Sequence, residues 1–103
     1  MTLQEFRNIL DTTGIPVAYR QFSETDVPDL PILVYMEAYS NNFSADGTVY
    51  HKTSHVQVDL YTKNKDIESE DRVENALSSF FWEKEEEYLD DERCYRITYE
   101  MEV

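Results

Sequence analysis

Between Ser54 and Phe81 the hydrophobic pattern changes period, and the rest of the chain is read around that change. Val56, Val58 and Leu60 are apolar, with His55, Gln57, Asp59 and Tyr61 between them. A period of two is the mark of a half-buried strand. Thr62 to Lys65 then forms a polar break, and Asp66 is placed to cap a helix. Glu68, Glu70 and Asp71 put negative charge in its first turn, where the helix dipole favours it. Ile67, Val73, Ala76, Leu77, Phe80 and Phe81 recur at helical spacing and predict one apolar stripe. A strand with one apolar face and a helix with one apolar stripe cover each other if the helix lies on the sheet.

The flanking segments follow the same logic. Thr2 and Glu5 fit a capping box, Leu3, Phe6, Ile9 and Leu10 form a stripe, and Gly14 with Pro16 ends the helix, which predicts a helix over residues 3–13. Residues 16–22 (PVAYRQF) alternate and predict a short strand, and the acidic stretch Ser23–Asp29 reads as a connection. Residues 31–39 (PILVYMEAY) are apolar on both parities, so this strand is central or has one face covered by another subunit. Residues 40–53 are polar and turn-rich, and Asp46-Gly47 is a hairpin turn signal. They form either a long hairpin or a projecting loop.

Phe43 and Tyr50 lie in that excursion. With Asp46 and Gly47 they are candidate subunit-contact residues, the alternative being that both rings fold onto the subunit's own core. Residues 95–103 alternate clearly and predict a terminal strand. Residues 84–89 are its expected hairpin partner, carrying charges that discourage uncontrolled edge pairing. The expected fold is α+β, in the order α-β-β-β-α-β-β: a mainly antiparallel four- to five-stranded sheet with two helices on one face.

A length of 103 residues predicts a single domain over residues 1–103, with a modest core. The formal net charge is −13, and it is uneven. Residues 1–52 hold 3 basic and 7 acidic side chains, whereas residues 53–103 hold 6 and 15. Such a surface repels phosphates and anionic lipid, which argues against specific nucleic-acid binding and against a membrane partner. Glu85, Glu86 and Glu87 form an acidic patch, either a solvated outer edge or a surface past which DNA slides. The eight tyrosines suit either a core or an interface. The single cysteine, Cys94, fits a reducing compartment, and neither a signal peptide nor an apolar run of membrane-spanning length is evident.

Candidate chemistry is sparse. His51 and His55 are four apart, but Lys-Thr-Ser stands between them and no third ligand is marked by spacing. Cys94 has no marked partner for a nucleophile. With two glycines, Gly14 and Gly47, the chain has no Gly-rich phosphate cradle. The expectation is no enzyme, no catalytic or metal site and no cofactor.

Residues 41–52 (NNFSADGTVYHK), followed by residues 56–66 (VQVDLYTKNKD), resemble small tail-completion or tail-terminator proteins of siphophages and prophages of Gram-positive bacteria. Leu30-Pro31 with its apolar run and the ending Tyr95 to Glu100 extend the resemblance over nearly the whole chain. Gly47 stands where the family pattern has Asn, and Ile67 where Pro is frequent; both keep a turn and a helix start. The resemblance implies a virion structural protein of the head–tail junction, made in the bacterial host cytoplasm and located in the virion tail. It implies a homo-oligomeric ring, expected to be a hexamer, with the tail tube protein below and a head-closure protein above. It carries over no catalytic residues. The rival expectations are a head-closure or connector protein of the same junction, and an acidic DNA mimic that inhibits a host nuclease.

Overall fold

The computed structural model describes the backbone of residues 1–45 and 48–103, and the side chains of residues 1–39 and 54–103. Helix α1 spans Leu3–Asp11, strand β1 Val17–Tyr19, β2 Ile32–Ala45, β3 Thr48–Thr62, helix α2 Ile67–Ala76, β4 Trp82–Leu89 and β5 Cys94–Glu102. The five strands form one sheet in the order β1-β2-β3-β5-β4. All neighbours are antiparallel except β1 and β2. The fold is thus α+β in the expected element order.

Local chemistry sets the helix ends. The Thr2 hydroxyl accepts from the Glu5 amide at 3.0 Å, and the Glu5 carboxylate accepts from the Thr2 amide at 3.1 Å. This closes the capping box. Gly14, at φ +75°, takes the left-handed conformation that ends the helical segment. Asp66 caps α2 by accepting from the Ser69 amide at 3.0 Å.

Register then assembles the core. Leu33 and Tyr35 of β2 lie opposite Leu60 and Val58 of β3, which in turn lie opposite Ile97 and Tyr99 of β5. Phe6 and Leu10 of α1, with Val73 of α2 and Leu77 at its end, cover this face, and all four are fully buried. Val58, Leu60, Val73, Leu77, Ile97 and Tyr99 therefore share one core beneath the two helices.

Three local expectations are corrected. The first strand stops at Tyr19 and does not reach Phe22, because Arg20 adopts φ 66° and turns the backbone out of the extended region. Helix α2 ends at Ala76, where Ser78 and Phe80 donate to the carbonyls of Asn75 and Leu77 and tighten the last turn. Phe80 thus packs on Phe6 from beyond the helix, with ring centroids 5.7 Å apart, while Phe81 is 92% exposed. Ile67, the first residue of α2, is also exposed and does not join the apolar stripe.

Residues 40–45 and 48–53 pair as the two arms of a long hairpin. The β2–β3 register runs from Ile32–Tyr61 to Ala45–Thr48, with irregularities after Glu37 and Phe43. On the second face of β2, Ile32 and Val34 are buried and share an open hollow with Phe22, Val27 and Leu30 of the chain's own connection, of which Val27 and Leu30 stay exposed.

Candidate subunit interface

Two surfaces stand out once the fold is built. The first is the distal half of the β2–β3 hairpin. Strand β5 flanks β3 only from His55 to Thr62, with a last backbone exchange between Ser54 and Val103. Strand β1 flanks β2 only at Leu33–Tyr35. Among the described residues, 40–45 and 48–53 therefore pair only with each other and project as a two-stranded ribbon. At about 3.4 Å per residue it extends some 20 Å beyond the sheet, in a molecule measuring 50 × 28 × 25 Å. Among the described residues neither of its edges has a strand neighbour. With His51 counted neutral, as in the chain's formal charge of −13, its sequence contains Asp46 and Lys52 as the only charged residues and so carries no net charge.

Phe43 and Tyr50 fall on the ribbon's backbone, while their side chains lie outside the described residues. Asp46 and Gly47 lie outside them altogether, as does the side chain of His51.

The second surface is the sheet face opposite the helices. Its centre is polar but closed: Asp59, 3% exposed, accepts from Thr98 at 2.7 Å and from Gln57 at 3.2 Å. Beside it, burial and the Asp59 carboxylate hold the Tyr61 phenol above its usual range, against the pull of Arg96. Toward the ribbon, Tyr39 stacks on His55 with ring centroids 4.6 Å apart and planes 2° from parallel, and His55 lies 3.9 Å from the Glu100 carboxylate.

Strand β4 forms the outer edge of the sheet, and the structure divides the acidic trio between its two faces. Register places Glu85 and Glu87 on the helix-free side, opposite Thr98 and Arg96. Glu87 pairs with Arg96. Glu86 lies on the helix side, where Lys65 donates to it at 2.6 Å. Lys65 also reaches Glu70 of α2 at 2.7 Å, and Lys84 of β4 reaches Glu70 at 3.2 Å and Glu74 at 2.9 Å. Burial opposes ionisation of Glu70, but the two lysines outweigh it and hold the carboxyl below its ordinary range. The Tyr99 hydroxyl donates to Glu74 at 2.8 Å, and burial with this contact pushes its phenol well up. This network fastens α2 to the β4–β5 edge.

Candidate chemistry stays scattered. Among the described residues no group of three His, Cys, Asp or Glu side chains could hold a metal ion. Cys94 is buried, and burial with nearby Glu92 pushes its thiol up, disfavouring the thiolate. Among the described residues no helix is long and apolar enough to cross a membrane. No known family model matches the chain, and no curated protein is significantly similar to it in sequence.

The Lys65–Glu70–Lys84–Glu74 network escaped the sequence reading because Glu70 looks there like an ordinary first-turn acid. The one available signal was its position, three residues before Val73 on the buried side of the helix. Asp59 was hidden similarly, since alternation alone assigns it to solvent.

Proposed function

We propose that this protein is a virion structural subunit of a siphophage head–tail junction, a tail terminator that closes the tail tube as a homo-oligomeric ring. The observation that supports it best is the ribbon of residues 40–45 and 48–53. An isolated two-stranded hairpin is marginal in water and gains stability from a third strand or a packed surface. A ribbon with no strand neighbour on either edge among the described residues therefore calls for a neighbour. Its neutrality selects the neighbour's kind. Copies carrying −13 each repel, and a contact through a stretch of no net charge costs least. A second copy of the same chain is the partner that fits, and successive head-to-tail contacts of this type close a ring. The acidity of the remaining surface would keep the passing genome from adhering.

The test shortens the ribbon while keeping its register. Replacing residues 42–52 by Asn-Gly closes the hairpin on the Asn41–Thr53 pair with a two-residue turn. The domain should stay folded, as read by circular dichroism and thermal unfolding, and should fail to complete tails in a complementation assay. Negative-stain images of phage lacking the protein should show tails of unregulated length that do not join heads. Tails of normal length without heads would move the role to head closure. Infectious particles assembled with the shortened ribbon, or without the protein, would overturn the reading.

A further inference from the structure

We propose that the free edge of β4 is a docking edge for an extended, lysine- or arginine-bearing segment of a partner protein, which adds to the sheet as a sixth strand. Among the described residues strand β4 pairs with β5 on one side only, and residues 83–88 are exposed without interruption. Its outer backbone groups are thus free for strand addition, the mode in which main-chain bonds hold the guest and side chains choose it.

The side chains define the guest's chemistry. Glu83 and Glu85 point to the helix-free face and have no ion-pair partner among the described residues, unlike Glu86 and Glu87. Glu83 also stands directly opposite Glu100. Like charges opposed across a ladder are unfavourable, and a cation placed between them turns the cost into a gain. The carboxylates border an open hollow of about 250 Å³ lined by Glu83, Lys84, Glu85, Thr98 and Glu100, and the Lys84 ammonium is itself taken up by Glu70 and Glu74. Exposed rings mark both ends of the edge: Phe81 at 92%, and Tyr88 at 47%, which packs edge-on against Tyr95 on the helix side of the strand. Aromatic anchors flanking a charged stretch are what an extended peptide needs to bury area at its ends.

The same glutamates exclude a second copy of this strand, because two β4 edges brought together would set acid against acid. Acidic edges often serve only to prevent pairing. Here the uncompensated Glu83 and Glu85, the opposed Glu100 and the exposed Phe81 go further and complement a basic guest. This edge is separate from the ribbon, and the inference does not depend on the ring.

The probe is a capped eight-residue peptide of alternating lysine and threonine, titrated into the isotope-labelled protein and followed by amide NMR shifts. The comparison peptide has the same sequence with every backbone amide N-methylated, which keeps the charge and removes strand hydrogen bonds. Shifts should be confined to residues 81–89 and the neighbouring part of β5. Affinity should fall about tenfold or more on N-methylation, in the E83K/E85K variant, and on raising salt. Equal binding of the N-methylated peptide would reduce the effect to diffuse charge attraction and overturn the proposal. So would shifts centred elsewhere, or no binding at millimolar peptide. The N-methyl comparison uses the unaltered protein, so it decides the matter even if the variant fails to fold.

Discussion

Replacing Glu70 by glutamine tests whether the lysine network carries stability, and its effect should depend on pH. The Glu70 side chain is 6% exposed and receives two charged donors, Lys65 at 2.7 Å and Lys84 at 3.2 Å. Two hydrogen bonds to a buried charge would contribute about 1.5–3 kcal/mol each. That figure must be reduced, because the lysines are 46% and 40% exposed and each keeps a second carboxylate, Glu86 or Glu74. Solvent screening brings exposed pairs down to about 0.2–1 kcal/mol apiece. A glutamine also turns an amide donor toward one of the two lysines. The net loss at neutral pH should be about 1–2 kcal/mol.

The sign of the pH effect follows from linkage. The folded pKa of Glu70 lies below its ordinary value of 4.5. Its contribution is therefore complete above the unfolded pKa and disappears as pH falls through the folded one. Urea unfolding of both proteins at pH 7, 5 and 3.5 measures the difference, in which the other carboxylates largely cancel. The gap should be widest at pH 7, persist at pH 5 and narrow at 3.5. A gap that is absent at pH 7, or constant across the series, would refute the reasoning.

Leu77→Ala should cost about 2–5 kcal/mol in the same assay, because Leu77 is fully buried between α2 and the sheet; a loss below about 0.5 kcal/mol would place it at the surface. Glu86→Gln should lower stability by about 0.2–1 kcal/mol through its lost pair with Lys65, whereas Glu85→Gln, with no pair to lose among the described residues, should be neutral or slightly stabilising. Equal effects of the two would contradict the division of β4 into two faces.

Much of the fold was legible because period and punctuation agreed. Val56, Val58 and Leu60 alternate, Thr2 and Glu5 fit the capping box, and the structure pairs and caps them accordingly. The reading failed where tertiary context decides. Phe80 and Phe81 continue the spacing of Val73 and Leu77, but spacing does not reveal that the turn tightens at Ser78 and sends one ring inward and the other to solvent. The two-faced strand 31–39 left its second cover open between its own chain and another subunit. In the structure the loop carrying Phe22, Val27 and Leu30 runs beside that face and borders an open hollow with it, which its acidic composition, marking it as a connection, does not reveal. The trio Glu85, Glu86 and Glu87 reads as one acidic patch in sequence, yet strand alternation must split it, as Lys65 on one side and Arg96 on the other now show.

The distribution of charge separates the two candidate surfaces by the partners they admit. A body of −13 resists meeting its own copies, and only a neutral element relaxes that resistance. The ribbon is such an element, and salt should strengthen a contact made through it, because screening weakens the repulsion between the bodies behind it. The β4 edge behaves oppositely. Its glutamates attract a basic strand, so salt should weaken that contact, and they repel a like strand at every ionic strength low enough to matter. If both proposals hold, one acidic surface serves two interfaces without confusing them: copies would meet through the uncharged hairpin, and a different, basic partner would add at the outer edge of the sheet.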